Sequence, residues 1–322
     1  MSQLSLFETE APDDGYASEV EASHAEARTL AAALPATLYF GTSSWSFPGW
    51  AGLVYRARRS ATALARNGLS EYARHPLLRT VGIDRSYYAP IPVDDLRHYA
   101  AQLPPGFRCC AKVPASVTAY AHRSAGRSEL NPGFLSLERL HADVLEPFAV
   151  AFRDHTGPFI LEFPPFPRDL SLEPAAFADR LGRFLAGVPR DFEYAVEIRD
   201  RRLLTSAYLA VIREHGVAHT FNYWSAMPMP AEQAEVVAPE QMPFAVVRLL
   251  LRPGTWYEDQ RDRFQPFNRL VEPDEAMRAD VVDVVGRALR RGGRAYVLVN
   301  NKAEGSSPLT VMALARRLAA AL

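Results

Sequence analysis

Charged side chains interrupt several short apolar segments of the chain, each close to the carboxyl-terminal end of its segment. A carboxylate in such a place can act as a general base or bind a divalent cation, and a lysine or arginine can hold an anionic substrate. Glu162, Glu197 and Lys112 are therefore candidate catalytic residues, and Arg199 and Arg248 are candidate anion clamps. The two glutamates are also the candidate ligands if the protein uses Mg²⁺ or Mn²⁺.

The alternation of side chains along a strand indicates which of these residues face each other. In the segment 194–199, Glu197 and Arg199 share the face opposite the bulky apolar residues. The same alternation puts Glu162 and Lys112 on the inward faces of their own segments. Carboxylates beside cations stay ionised and neutralise each other, so a structural layer of ion pairs is an alternative to a functional site.

Other residue types near these segments could contact a substrate. Trp45 and Tyr87 carry rings that can stack on a nucleobase or a sugar face, although a hydrophobic lid would use the same rings. The turn 304–307 leads into the last predicted helix and could aim backbone N–H groups at a phosphate, or its serines could cap that helix. The remaining candidates for substrate binding are the polar residues Asp84, Arg85, Asn300, Asn301 and Lys302.

Eight short apolar segments alternate with longer segments of helical period from residue 38 to residue 322. Repeated strand–helix units of this kind build a parallel sheet, and eight of them predict a closed (β/α)₈ TIM barrel over residues 36–322. Polar residues at the carboxyl ends of barrel strands point to the mouth, where barrel enzymes place their active sites. The predicted strands are Leu38–Trp45, Thr80–Ser86, Arg108–Val113, Phe159–Phe163, Glu193–Arg199, Val217–Asn222, Phe244–Leu251 and Arg294–Asn301.

Residues 1–35 differ from the rest of the chain because they hold seven acidic residues and only one basic residue. Since the whole chain has a net charge of −1, the remaining residues carry a net positive charge, which suits an anionic substrate. We predict a flexible acidic N-terminal extension, disordered at its start and helical over Ser18–Leu34 with Ser18 as its cap.

The start of this extension contains a short peptide with an apolar plug. Gln3, Leu4, Leu6 and Phe7 resemble the peptide by which many bacterial DNA polymerases and repair proteins bind the sliding clamp. A glutamine amide and apolar side chains on a flexible tether are typical of peptides that bind grooves. The same residues could instead dock on the barrel of their own chain.

The composition excludes several other classes of protein. With 48% hydrophobic and 23% charged residues, the chain is an ordinary globular protein. It has no apolar run long enough to span a membrane and no secretory signal, so we expect a cytoplasmic protein without a membrane partner. Cys109 and Cys110 are its only cysteines, which rules out a disulfide framework and a zinc site built of thiolates.

Several short motifs occur together along the chain. They are Gly41–Trp50, Asp84–Tyr88, Ala111–Pro114, Asn131–Leu135, Glu162–Pro165, Val196–Arg199 and Asn300–Lys302. These motifs resemble, in the same order, those of the YecE-like family, also called domain of unknown function 72, from about residue 38 to residue 322. The resemblance implies a TIM barrel and no settled activity. The chain departs from the family pattern at Ser44, a position that is often glycine, and at residues 84–86, where an Asn-Ser-Thr-like triplet is frequent.

Three functions fit these residues. The leading hypothesis is an enzyme of DNA or nucleotide metabolism that binds a phosphate-bearing substrate at the barrel mouth and reaches DNA through the clamp-like peptide. Its paired carboxylates would suit a phosphodiesterase-like hydrolase. The second is a sugar isomerase or sugar hydrolase whose aromatic residues stack on the sugar ring. The third is a barrel that binds partners without catalysis.

Overall fold

The protein is described by a computed structural model covering residues 14–322, apart from residues 125, 168, 171 and 291. Eight parallel strands form a closed barrel in the order β1, β2, β3, β6, β7, β8, β9 and β10, and β10 pairs with β1 to close the ring. The two other strands, β4 and β5, form a separate antiparallel hairpin. The strands are β1 Leu38–Thr42, β2 Leu78–Ile83, β3 Arg108–Lys112, β4 Ala121–Ser124, β5 Arg127–Leu130, β6 Thr156–Phe163, β7 Tyr194–Ile198, β8 Ala218–Tyr223, β9 Ala245–Leu249 and β10 Ala295–Val299. The predicted (β/α)₈ barrel is therefore confirmed.

Helices surround the barrel and cover the outward faces of its strands. The large apolar core lies between these helices and the strands, where side chains such as Phe159 and Leu161 of β6 are buried. The helices are α1 Ala17–Ala33, α2 Ala61–Asn67, α3 Leu69–Tyr72, α4 Val93–Ala100, α5 Ala115–Thr118, α6 Leu137–Leu140, α7 Glu146–Ala151, α8 Pro174–Gly187, α9 Ser206–Glu214, α10 Pro230–Val236, α11 Tyr257–Phe264, α12 Glu275–Leu289 and α13 Ser307–Ala321.

The barrel interior is a second, smaller apolar cluster. Cys110, Ile160 and Ala195 belong to it together with side chains of β8, β9 and β10. Each of these three residues lies two positions before a charged residue of the same strand. Because alternate side chains of a strand share a face, Lys112, Glu162 and Glu197 follow on the inward side, one layer nearer the carboxyl end of the barrel.

Three stretches of the chain differ from what their sequence pattern indicates. The segment Leu135–His155 has the apolar period of one long helix, but it is broken into α6, a π turn at His141–Leu145 and α7. Pro147 stands in the first turn of α7, where a proline has no N–H to continue the regular helical ladder. The hairpin of β4 and β5 and the helix α11 lie in loops that carry no clear periodic pattern.

The acidic N-terminal segment contributes a helix that packs on the body of the protein. Helix α1 matches the predicted helix within one residue at each end, but its N-cap is Tyr16 and not Ser18. Glu26 of α1 accepts hydrogen bonds from Arg316 of α13, the shorter at 2.6 Å. The clamp-like peptide at residues 3–7 lies outside the described residues. No helix in the described part of the chain has the length and apolar composition to span a membrane.

Candidate functional site

Six charged side chains meet at the carboxyl end of the barrel. They come from five strands of the barrel. Asp84 follows β2, Lys112 ends β3 and Glu162 lies near the end of β6. Glu197 belongs to β7, Arg199 directly follows it, and Arg248 belongs to β9. The register pairs Glu162 directly with Glu197 on the adjacent strand. We call this set the charge cluster; its members are Asp84, Lys112, Glu162, Glu197, Arg199 and Arg248.

Arg248 holds the three carboxylates of the charge cluster together. Its guanidinium is fully buried, and its Nη1 donates to Glu197 Oε2 at 2.6 Å and to Glu162 Oε2 at 3.5 Å. On the other side, Nη2 donates to both carboxylate oxygens of Asp84, at 2.9 and 2.8 Å. A planar guanidinium can make such a forked set of bonds, which a lysine in the same place could not.

Lys112 and Arg199 both bind one oxygen of Glu162. Lys112 Nζ lies 2.7 Å from Glu162 Oε2, and Arg199 Nη2 donates to the same oxygen at 2.8 Å. Arg199 Nε also donates to Glu197 Oε1 at 2.9 Å, and Lys112 Nζ lies 3.5 Å from Asp84 Oδ2. The charge cluster thus balances three cations against three carboxylates in one connected network.

The network keeps Glu197 and Arg248, which are both fully buried, ionised. Burial alone would raise the pKa of Glu197, but Arg248, Arg199 and Lys112 outweigh burial and lower this pKa to about 2. Burial alone would lower the pKa of Arg248, and Asp84, Glu197 and Glu162 reverse that effect and raise it. Because Glu197 stays a carboxylate at neutral pH, it has no proton to donate there as a general acid.

Only part of the charge cluster faces the barrel mouth. The side chains of Lys112, Arg199 and Asp84 are 10%, 12% and 26% exposed, whereas Glu162 and Glu197 are buried behind them. An incoming ligand therefore meets two cations and one carboxylate.

Aromatic rings cover both of these cations. Lys112 Nζ lies 5.2 Å from the centre of the Tyr87 ring, and the Arg199 guanidinium lies 4.2 Å from the centre of Trp224. Tyr87 is one of the predicted substrate-binding residues, whereas sequence reasoning missed Trp224. Its position, directly after the end of β8, is the signal that could have found it. These contacts orient the cations at the mouth.

Two predicted substrate-binding residues lie away from the charge cluster. Trp45 is buried among helices, where its Nε1 donates to the carbonyl of Leu64 at 3.0 Å. Arg85 points outward and forms an ion pair with Asp95 of α4. The structure therefore gives Trp45 a packing role and leaves Arg85 at the edge of the mouth.

The three predicted residues after β10 have different surroundings. Asn300 caps a short turn by accepting a hydrogen bond from the Lys302 N–H at 3.1 Å. Asn301 is buried, and its Oδ1 accepts hydrogen bonds from Trp50 Nε1 at 3.2 Å and from the Ser307 N–H at 2.8 Å. Lys302 lies under the Tyr257 ring, with its Nζ 4.2 Å from the ring centre. Of these three residues, Asn301 therefore has a structural role, because its hydrogen bonds hold the turn after β10 in place.

Backbone donors of the turn before α13 are already used within the turn, since the Gly305 N–H donates to the Asn301 carbonyl. The Ser307 N–H at the start of the helix is already bound to Asn301. Glu304, in the same turn, is buried and paired with Arg278 at 2.8 Å. A buried carboxylate next to a helix N-terminus would repel a phosphate, so this turn is better described as a structural cap.

The glutamates do not fit a metal ion in this arrangement. Among the described residues, no group of three histidine, cysteine, aspartate or glutamate side chains is placed to hold one. Glu162 Oε2 and both oxygens of Glu197 already accept hydrogen bonds from Lys112, Arg199 or Arg248. A Mg²⁺ or Mn²⁺ ion would have to displace these cations to use those oxygens.

The closed ring of eight strands with a charged mouth defines a TIM-barrel protein, and comparison with known proteins gives its family. Residues 39–322 match the family model described as protein of unknown function DUF72. The chain belongs to the DUF72 family, as its motifs predicted. No curated protein matches it.

Solved structures of two other DUF72 family proteins have the same fold. The protein from Thermotoga maritima MSB8 is 19% identical with a TM-score of 0.62, and the match covers 88% of this chain and 99% of that one. The protein from Enterococcus faecalis V583 is 17% identical with a TM-score of 0.60, and the match covers 88% and 95% of the two chains. At this level of identity the similarity establishes the fold alone.

Proposed function

We propose that this protein is a cytoplasmic barrel that binds a phosphate-bearing substrate, a nucleotide or nucleic acid, at the mouth of its charge cluster. One observation carries the proposal: Lys112 Nζ and Arg199 Nη2 both lie within 2.8 Å of the same oxygen, Glu162 Oε2. Two cations that share one oxygen are close enough for a single tetrahedral anion to contact both. Such a pair at an accessible mouth is suited to a phosphoryl group.

Both cations keep donors that the charge cluster does not use. An arginine has five N–H donors, and Arg199 uses its Nε and Nη2 toward Glu197 and Glu162. A lysine has three, and Lys112 uses one toward Glu162 and, at longer range, one toward Asp84, which leaves the third. Glu162 lies behind the two cations and holds them in position, so a phosphate approaching from the mouth finds donors already oriented.

The proposal assigns different roles to the two glutamates. Glu197 is fully buried and ionised, so it belongs to the frame that positions Arg199 and Arg248. Glu162 is the carboxylate in contact with both mouth cations, and a phosphodiesterase-like hydrolysis would use it as the general base. Recruitment to DNA through Gln3, Leu4, Leu6 and Phe7 is a further part of the same proposal.

A second candidate, a sugar-binding barrel, is favoured by the charge balance of the site. Three cations and three carboxylates leave the charge cluster without net charge, and paired charges beside aromatic rings can bind the hydroxyl groups and the ring face of an uncharged sugar. The two candidates differ in their response to salt. Binding to a polyanionic nucleic acid weakens steeply as salt is added, because its counterions are released on binding, whereas sugar binding does not.

Calorimetric titration with inorganic phosphate and with a nucleoside 5′-monophosphate tests the proposal. A hydrogen bond to a charged group contributes about 1.5–3 kcal/mol, so Lys112→Gln and Arg199→Gln should each weaken binding by roughly ten- to a hundredfold. Arg85→Gln is the matched control, since it removes a cation from the same end of the barrel but outside the charge cluster. Circular dichroism and thermal melting establish that each variant is folded.

The outcome separates the two candidates. Equal phosphate affinity in the three variants, or no phosphate binding by the folded wild-type protein, would overturn the proposal. Binding of a sugar that persists in high salt, without phosphate binding, would favour the second candidate.

A further inference from the structure

Three aromatic side chains stand exposed around the mouth, although rings of this size are usually covered. Tyr88 is 86% exposed, Trp256 is 76% exposed and Tyr257 is 45% exposed. Tyr88 follows β2, and Trp256 and Tyr257 follow β9, so all three lie at the carboxyl end of the barrel. Exposed aromatic residues at the end that holds the polar site indicate a binding surface.

These rings continue outward from the cations of the charge cluster. Tyr87 covers Lys112 and meets Tyr88 edge to face, with the two ring centres 5.6 Å apart. In α11, which follows β9, the Tyr257 ring covers Lys302. Aromatic rings therefore lie against a cation both at Lys112 and at Lys302.

We infer that the substrate is a single-stranded nucleic acid whose terminal phosphate binds Lys112 and Arg199 and whose first bases stack on Tyr88 and Trp256. This inference rests on the proposed function and names the kind of substrate. Alternating charge and aromatic surface is what a single strand offers, since each nucleotide supplies one phosphate and one ring. In a duplex the faces of the bases are stacked on each other and are not available to protein side chains.

The surrounding loops favour a nucleic acid over an oligosaccharide. Arg252 stands four residues before Trp256 in the same loop and has a half-exposed side chain. The hairpin of β4 and β5 follows β3 at the same end and carries Arg123 and Arg127, both exposed. A chain of sugars needs rings to stack on but has no repeated charge for these arginines to bind.

The test measures how affinity depends on the length of the strand. Competing ligands are 5′-phosphorylated oligothymidylates of one, two, four and six nucleotides, against a fluorescein-labelled hexamer read by anisotropy. Stacking contributes about 1–3 kcal/mol per base, so the tetramer should bind at least tenfold more tightly than the mononucleotide. Trp256→Ala and Tyr88→Ala should each weaken tetramer binding at least fivefold and leave the binding of inorganic phosphate unchanged.

Controls keep the inference separate from the proposed function. Val150→Ala removes an exposed apolar side chain from α7, away from the mouth, and should change neither affinity. Removing the 5′-phosphate should weaken every length equally, and maltohexaose should not compete. Lys112→Gln should weaken all lengths together.

Each alternative outcome has a defined meaning. If the mononucleotide and the tetramer bind equally, or if Trp256→Ala and Tyr88→Ala bind the tetramer like the wild type, the inference is wrong and the proposed function stands. If no phosphorylated ligand binds while direct calorimetric titration shows that maltohexaose does, both are wrong. Because Tyr88 and Trp256 are exposed, these variants should fold, which thermal melting checks.

Discussion

The two ends of the barrel hold their charges in different ways. At the carboxyl end, Arg248 is buried among three carboxylates, and every member of the charge cluster contacts at least two others. At the amino end, Glu193 before β7 and Arg294 before β10 form one isolated, partly exposed ion pair. The amino end is closed mainly by apolar contact, including the stacked rings of Tyr39 and Tyr296.

The difference indicates what each end is for. An apolar layer would close the carboxyl end at a lower cost in free energy. The six partly dehydrated charges recover only part of their lost hydration free energy by interacting with each other. The barrel builds such an apolar layer one level below, around Ile160 and Ala195. A charged layer retained at the accessible end, and absent from the middle, points to recognition of a polar ligand.

The largest effect is expected from removing the central arginine of the charge cluster. Arg248→Met leaves Asp84, Glu162 and Glu197 facing each other without their shared partner, and breaking a buried pair in this way costs about 3–5 kcal/mol. Arg294→Met at the amino end breaks a partly exposed pair, which is worth about 0–1 kcal/mol. Urea unfolding of the two variants and the wild type measures the difference in the free energy of unfolding.

A double substitution that also removes a negative charge is the control for this comparison. Glu197→Gln combined with Arg248→Met removes one of the three carboxylates that lose Arg248 as a partner, and it should recover part of the loss. Equal destabilisation by Arg248→Met and Arg294→Met would contradict the contrast between the two ends.

Acid should affect the two ends in different pH ranges. His75, which stands before β2 at the amino end, packs against His24 of α1 with ring centres 4.7 Å apart. Burial, helped by His24, lowers the pKa of His75 from 6.5 to about 3. Between these values the unfolded chain binds a proton that the folded protein does not, so stability falls with falling pH by at most about 1.4 kcal/mol per pH unit.

The carboxyl end loses stability only at lower pH. The pKa of Glu197 is about 2 in the folded protein and 4.5 ordinarily, so its contribution is present above pH 4.5 and is lost as the pH falls toward 2. His75→Gln should therefore flatten the pH dependence of urea unfolding between pH 6.5 and 4.5, and exposed His141→Gln should not. The same slope in His75→Gln and in the wild type would contradict this assignment.

The sequence predicts the charge cluster better than it predicts the aromatic residues in the loops around the mouth. Glu162, Glu197 and Lys112 interrupt apolar strands with a period of two, and both the strand and the inward direction follow from that local pattern. Trp224 and Trp256 lie in loops, whose paths depend on contacts far apart in the chain.

Loop geometry also explains where individual predictions fail. Asn301 follows a strand end as the charged residues do, but the turn after β10 directs it toward Trp50. Trp45 lies beyond the end of β1 and turns back to bond the carbonyl of Leu64. Neither direction is encoded in the alternation of a strand. Residue types alone also do not reveal that each cation of the charge cluster already has a carboxylate partner.

The smallest effect is expected from replacing the aromatic ring that contacts one arginine at each end of the barrel. Arg199 lies 4.2 Å from the centre of Trp224 at the mouth, and Arg294 lies 5.6 Å from the centre of Phe244 at the amino end. A cation–π contact contributes about 0.5–1 kcal/mol, so Trp224→Leu should weaken phosphate binding by roughly two- to fivefold in calorimetric titration. Phe244 is buried, so Phe244→Leu should instead lower the free energy of unfolding by about 1 kcal/mol and leave phosphate affinity unchanged. Equal losses of phosphate affinity in the two variants would mean that Trp224 does not orient Arg199 for the ligand, and the functional contrast between the two ends would lose its support.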